Sequence, residues 1–278
     1  MSMRVVAAAE PPAAWIGGKR LLSTVIIKRL ECLEHETYAE PFIGMGGVFL
    51  RRSMAPSAEV INDINGDVVN LFRILQRHYV QFMDTLRFGI TSRADFDRLQ
   101  KARPETLTDL ERAARFLYLQ RLAFGGKSTG QNFGVSVDMP ARFDVTKLAP
   151  ALADIHERLA GVVIECLNYA DFIARYDRPA TLFYLDPPYW DCESDYGKGI
   201  FGKADFTRLA EQLGLIDGGF LMSINDTPEI RQIFAGFEIE AIETTYSVGG
   251  GDKSQKAAEL LISGGQGLKR LPELPFNF

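Results

Sequence analysis

Asp186-Pro187-Pro188-Tyr189 joins a carboxylate, two rigid prolines and an aromatic ring in four residues. These are the groups needed to hold a planar base that carries an exocyclic amine. Asp186 can accept a hydrogen bond from such an amine, the carbonyl of Pro187 can accept the second amine hydrogen, and Tyr189 can stack on the ring. Two acceptors placed out of the ring plane draw the amine nitrogen toward tetrahedral geometry and free a lone pair otherwise delocalised into the ring. A poor nucleophile becomes usable. The tetrapeptide follows the apolar run Thr181-Leu-Phe-Tyr-Leu185, which reads as a buried parallel strand, so the site is expected at that strand's carboxyl end. On its own, a four-residue match also fits a Pro-Pro strand terminator followed by a packing tyrosine.

The elements that must position this group alternate in an α/β manner. Helical spacing runs from Leu21 to Leu33, strand patterns from Thr37 to Phe42 and from Glu59 to Ile64, and a helical pattern from Asp67 to Arg77. Between about residues 78 and 150 the chain turns polar and helical, at Asp95–Lys101 and Thr108–Leu122, and no strand alternation is evident. Regular alternation resumes with a helix near Lys147–Leu159 and strands at Val162–Cys166, Leu182–Asp186, Gly219–Ile224, Phe237–Thr245 and Ala258–Ser263. The economical fold is an α/β doubly wound sheet with an inserted, mainly helical subdomain. Residues 15–77 and 150–265 form the main domain, 78–149 the insertion, and 1–12 and 266–278 flexible tails.

Composition narrows the chemistry. At 278 residues the chain can bury a full core, and no apolar stretch approaches a membrane span. With no signal-peptide pattern in Met1–Pro12, a cytoplasmic protein is expected. Cys32, Cys166 and Cys192 are scattered and form no C-x-x-C pair, which points to buried or incidental thiols. His35, His78 and His156 are equally scattered, so no metal is expected. The net charge of −5 argues against a protein that coats nucleic acid generically. Between Asp84 and Pro150, however, 11 Lys/Arg stand against 8 Asp/Glu, a basic segment on an acidic body. Gly125-Gly-Lys127-Ser128 is not a phosphate-binding loop, because the pattern needs Gly where Arg121 stands.

Glu40-Pro-Phe-Ile-Gly-Met-Gly-Gly-Val-Phe49 places glycines where the first strand turns toward a helix, a position that lets backbone approach a ligand. No G-x-G-x-x-G is present, so a dinucleotide is not the first choice. Asp63, about 20 residues on, ends the next strand where an acid can hold ribose hydroxyls. A nucleoside-containing cofactor without a pyrophosphate fits these residues, and Trp15-Ile-Gly-Gly-Lys19 offers an aromatic and a cation to its charged tail.

Taken in order, Trp15-x-Gly17-x-Lys19, Pro41-Phe42-x-Gly44-x-Gly46-x-x-Phe49, Asn62-Asp63-x-Asn65 and Asp186-Pro-Pro-Tyr189 resemble the DNA N6-adenine methyltransferases of the Dam type. The helix Arg112–Leu119, the pair Asp171-Phe172, the segment Ser223–Pro228 and the late Ala257–Leu261 extend the likeness from about Trp15 to Ile262. The resemblance implies a Rossmann-like class I methyltransferase sheet, S-adenosyl-L-methionine as cofactor, and the order cofactor motifs, target-recognition insertion, catalytic motif. It also implies roles for individual residues. Trp15 and Lys19 would contact the cofactor's amino-acid end, Phe42, Gly44 and Gly46 would line its pocket, and Asp63 would hold the ribose. Asp171 and Phe172 would sit near the cofactor adenine, Asp186 between cofactor and target, and Tyr189 against the flipped base. Arg121, Lys127 and Lys253 are the expected DNA contacts of a monomer acting on double-stranded DNA.

Two stretches depart from the family pattern. The inserted helix continues as Gln120-Arg121 where many members have Asn-Arg, and the Gly-rich stretch Tyr246–Lys256 lacks an Arg common there. That stretch is expected to be a mobile loop whose Lys253 and Lys256 could reach phosphate. Trp190–Gly199 is expected to act as a lid that orders on substrate. A target adenine would have to leave the duplex stack, and methyl transfer would run in line from sulfur to N6 without a covalent enzyme intermediate. Asp186 then orients and polarises. The alternatives are an N4-cytosine or RNA adenine methyltransferase, which usually carry Ser or Asn in place of Asp186, and a catalytically silent DNA-binding protein.

Overall fold

The structure is a computed structural model describing residues 3–15, 17, 19, 22–127, 130–134, 140–193, 199–247 and 254–267. In chain order the elements are β1 (Arg4–Val5), α1 (Ser23–Glu31), β2 (Thr37–Glu40), β3 (Met54–Ala55), β4 (Ala58–Asn62), α2 (Gly66–Arg77), α3 (Tyr79–Leu86), α4 (Arg93–Lys101) and α5 (Asp109–Leu122). They continue with α6 (Val145–Arg158), β5 (Val163–Glu165), α7 (Tyr169–Tyr176), β6 (Thr181–Leu185), α8 (Lys203–Leu213), β7 (Gly219–Asn225), α9 (Pro228–Ile233), β8 (Glu238–Ser247) and β9 (Ser254–Gly264).

Seven strands form one sheet in the order β5-β4-β2-β6-β7-β9-β8. The five strands from β5 to β7 are parallel. β9 runs against both of its neighbours, so β8 returns to the direction of the parallel set. The chain leaves β2 toward β4 on one side, whereas β6 continues to β7 on the other. The crevice at the carboxyl ends of β2 and β6 is therefore the switch point where ligands of such sheets bind.

β6 shows why the sheet needs two covers. All five of its residues are buried, with Leu182 and Tyr184 in one apolar cluster and Phe183 and Leu185 in the other. The continuous apolar run is thus a strand packed on both faces. The first cluster extends without a break through Phe82, Phe96 and Leu117 of α3–α5, so these helices share the main core. Asp67 of α2 pairs with Arg112 of α5, and Asn70 donates to Asp109 O at 2.8 Å. Side-chain caps fix where helices begin: Asn65 on α2, the Thr108–Glu111 capping box on α5 and Asn168 on α7. Each cap contributes about 1 kcal/mol.

The sequence-based helices and strands are present, with ends displaced by a few residues. Two expectations are corrected. Residues 4–10 are not a free tail: β1 pairs with β3, Val6 donates to Ser53 O, Ala9 donates to Leu50 O, and Glu10 meets Arg51 at 2.6 Å. The stretch Tyr246–Lys256 is strand at both ends, with Tyr246 opposite Gln255 and Ser247 opposite Ser254, because backbone pairing of β8 with β9 continues past the apolar residues that announced it. All three cysteines are exposed, which fits incidental thiols, the second of the two readings offered for them. Lys253, residues 194–198 of the expected lid, and the tail from 268 onward lie outside the described residues.

Candidate active site

A cavity of about 390 Å³ opens at the switch point. Its floor is the turn after β2. Gly44 has φ +48°, and a side chain there would meet the indole of Trp15 at 2.7 Å. Gly46 has φ +75°, and a Cβ would meet Leu50 at 2.8 Å. The glycines therefore permit the turn and the close seating of Trp15, which packs edge-on against Phe116 of α5. Gln120 of α5 donates to Ala14 O at 2.8 Å and to Gly126 O at 2.7 Å, tying the Trp15 segment to the insertion.

One wall is aromatic. Phe42 stacks on Tyr169 at 5.7 Å and meets Phe201 edge-on at 6.1 Å, and all three line the cavity. Asn62 braces this side by donating to Pro41 O and Leu167 O and accepting from Leu167 N at 2.8 Å. Beside it, Asp63 accepts from Gly44 N at 2.9 Å and Asn65 N at 2.8 Å. Burial pushes its carboxyl up to about 6, although the amide donors pull the other way.

The opposite end holds the charges. Asp186, directly after β6, meets Lys19 Nζ at 2.9 Å and accepts from Ser223 Oγ at 3.4 Å. Lys19 also meets Glu259 Oε2 at 3.4 Å, donates to the Tyr189 hydroxyl, and lies 4.3 Å from the centroid of the Tyr189 ring. The Tyr189 hydroxyl in turn donates to Glu259 Oε1 at 2.5 Å. Burial pushes the Asp186 carboxyl up to about 6; Lys19 opposes the shift and Glu259 adds to it. Glu40, buried at the end of β2, accepts from Tyr38 at 2.5 Å, and its carboxyl is held by burial well above the usual carboxylate range.

The cavity thus gathers Trp15, Lys19, Phe42, Gly44, Asp63, Asp186 and Pro188 from the residues singled out in the sequence. Pro187 is buried beneath them, and Gly46 shapes the turn without lining it. Asp171 and Phe172 do not reach the cavity. α7 begins at Tyr169, so its first turn carries Asp171 into solvent and Phe172 into the second core, where it packs on Tyr176. Leu167, Asn168 and Tyr169 line the cavity in their place. Arg121 also lines the cavity and donates to Arg142 O at 3.0 Å and Pro12 O at 2.6 Å, a brace between the insertion and the amino-terminal segment. Lys127 is exposed on the loop after α5.

Besides the wall residues Leu167–Tyr169 and Phe201, the acids Glu40 and Glu259 were not singled out from the sequence. Glu40 precedes the glycine turn and was readable as a strand-end acid. Glu259 sits in an apolar strand, and only the reversed pairing of β9 carries it to the site.

A doubly wound sheet with a cavity and a cluster of hydrogen-bond acceptors at the carboxyl ends of its strands has the layout of an enzyme whose ligands meet at the switch point. Comparison with known proteins narrows this class. The model of the D12 class N6 adenine-specific DNA methyltransferases matches residues 15–248. The chain is 27% identical to the DNA adenine methylase of Escherichia coli strain K12, over 90% of this chain and 92% of that protein. It is 27% identical to the Type II methyltransferase M1.LlaDCHI of Lactococcus lactis subsp. cremoris (91% and 95%), and 26% identical to the Type II methyltransferase M.CviBI of Paramecium bursaria Chlorella virus NC1A (85% and 91%). The chain belongs to the D12 class of N6 adenine-specific DNA methyltransferases. It is an enzyme that methylates adenine N6 in DNA with a methyl-donor cofactor.

Proposed function

We propose that the methyl donor is S-adenosyl-L-methionine and that the acceptor is an adenine rotated out of double-stranded DNA into the Asp186–Tyr189 pocket. The observation that carries this reading is the continuity of one cavity from the Phe42–Tyr169 wall, past Asp63, to Asp186. The aromatic wall takes the cofactor's adenine, and Asp63 accepts from its ribose hydroxyls. Trp15 and Lys19 face the methionine end. S-adenosyl-L-methionine supplies an electrophilic methyl group on sulfur. Asp186 and the carbonyl of Pro187 accept the two amine hydrogens of the target and aim its nitrogen lone pair, while Tyr189 stacks on the ring. Residues 78–149 serve target recognition, with the exposed Lys127 on phosphate, and the enzyme works as a cytoplasmic monomer. Lys253 is a second candidate phosphate contact.

The test is incubation of the purified protein with labelled S-adenosyl-L-methionine and unmethylated genomic DNA, followed by nucleoside mass analysis. Labelled N6-methyladenine is expected. Labelled N4-methylcytosine, or no product despite cofactor binding, would sink the reading.

A further inference from the structure

Strands β7 and β9 grip the Asp186–Trp190 turn at three points. Ser223 Oγ donates to Asp186 Oδ1, the Asn225 side chain accepts from Trp190 N at 2.9 Å and donates to Trp190 O at 3.2 Å, and Glu259 Oε1 accepts from the Tyr189 hydroxyl. Ser223 and Asn225 are two residues apart on β7, and Glu259 is the register partner of Asn225 on β9, so all three project from one face of the sheet. Glu259 is 1% exposed. A carboxylate so buried persists where it is paired, and here its partners are Tyr189 and Lys19.

The position of Lys19 gives the pairing a purpose. Its ammonium is 2.9 Å from Asp186 and 4.3 Å from the centroid of the Tyr189 ring. A base stacked on Tyr189, with its amine within hydrogen-bond reach of Asp186, would bring its amine nitrogen up against the Lys19 ammonium, which stands beside the Tyr189 hydroxyl and bonds the same carboxylate. Lys19 therefore competes with the target amine for Asp186, and a second carboxylate, Glu259, already lies 3.4 Å from the ammonium. We propose that Glu259 is a positioning residue that takes up the Lys19 ammonium when the target adenine displaces it from Asp186, and that it holds the Tyr189 hydroxyl so that the ring stays ready to stack. This rests on the reading of the cavity given under Proposed function.

Glu259→Gln keeps the size and the acceptor for Tyr189 but removes the charge that draws Lys19 away. Single-turnover methyl transfer at saturating cofactor is expected to fall on the order of 10²-fold, the scale of a misplaced reacting group. Cofactor affinity measured by calorimetry should stay within about twofold, because the cofactor's own contacts are left in place. Glu259→Asp should recover most of the rate. In a Lys19→Met background, where no ammonium has to be moved, the same Glu259→Gln change should have far less effect, a non-additivity that a merely structural role would not produce.

The titration of Asp186 supplies a readout besides rate. The ionisable groups facing it are Lys19, Glu40, Tyr184, Tyr189 and Glu259. Removing the Glu259 charge should move the acid limb of the rate, and the ¹³C-carboxyl titration of labelled aspartate 186, to lower pH. An unchanged rate, an equal loss in the Lys19→Met background, or loss of the fold in both Glu259→Gln and Glu259→Asp would overturn the proposal. If the unmodified protein forms no N6-methyladenine, the functional reading fails separately. The carboxyl titration then decides the Glu259 arrangement alone: a downward shift supports it and an unmoved titration overturns it.

Discussion

The same sheet carries a buried charge cluster at each end, and the two are built with opposite balance. At the amino ends of the strands, Glu59 lies between two buried arginines, with the exposed Arg4 farther off at 3.9 Å: Arg158 holds it with two contacts of 2.7 and 2.8 Å, and Arg52 with one of 3.1 Å. The remaining faces of the guanidinium groups are covered by rings, Arg52 by Tyr38 at 3.8 Å and Arg158 by Phe49 at 4.0 Å. At the carboxyl ends, among the described residues, the ammonium of Lys19 lies between two carboxylates, Asp186 and Glu259. The first cluster seals both arginines out of solvent and is clamped by bidentate geometry, which suits a lock. The second faces a cavity and presents carboxylate oxygens to it, so that a ligand amine is welcome there. Charge count and access, more than burial alone, separate the part that holds the fold from the part that does chemistry.

Removing one charge at each end should produce opposite phenotypes. Asp186→Ala is expected to reduce methyl transfer by about 10³-fold or more, the scale of losing a principal polar group at the reacting atom, while the thermal midpoint is retained. Turnover kept at a tenth of the normal rate would break the comparison at the catalytic end. Glu59→Gln should lower unfolding free energy in urea by about 3–5 kcal/mol, the usual consequence of stripping one partner from a buried ion cluster, with activity per folded molecule unchanged. A milder loss would mean that the arginines find other partners or neutralise. Asp186→Asn sharpens the contrast further: because burial holds its carboxyl at about 6, the ionised form is unfavourable at pH 8, and the amide should stabilise the fold there by about 1–3 kcal/mol while transfer is lost. Lower stability at pH 8 would show that the Lys19 pair outweighs the burial.

How much of this was legible before the structure depends on whether the signal is local. The glycine turn, Asp63 and Asp186 follow strands that their own residues announce, so both their existence and their end of the sheet could be read. Lys19 could be read as a cofactor contact, but its place against Asp186 could not, since the two are distant in sequence and meet only through folding. Glu259 needed knowledge that β9 is reversed. Phe172 failed for a different reason. The resemblance placed it near the cofactor adenine, but the cap at Asn168 sets the phase of α7 and turns Phe172 into the core. Arg52, Glu59 and Arg158 gave no warning: Glu59 and Arg158 stand at the edges of an expected strand and helix, Arg52 stands in no expected element, and Arg158 reaches Glu59 only through folding.

The smallest effect expected is a difference in acid response between the ends. His35, beside the arginine cluster, donates through Nδ1 to the Leu33 carbonyl at 2.7 Å, and burial pushes its imidazole down to about 4. As pH falls from about 6.5 to about 4, the unfolded chain takes up a proton at this position that the folded protein refuses, so stability is present above that window and is lost within it. Asp63 and Asp186 have the opposite sign. Their folded carboxyls titrate near 6, so the stability they withhold at neutral pH returns as pH falls from about 6 toward the unfolded value near 4. The two trends offset each other in the intact protein. His35→Gln should unmask the carboxylate trend: relative to the unmodified chain its stability should be level above pH 7 and improve by on the order of 1 kcal/mol per pH unit between about 6.5 and 4. Urea unfolding of the two proteins at matched pH values provides the difference curve directly. If that curve is flat, His35 is protonated in the fold, and the arginine-rich end is more accessible to solvent and counter-charge than its geometry implies.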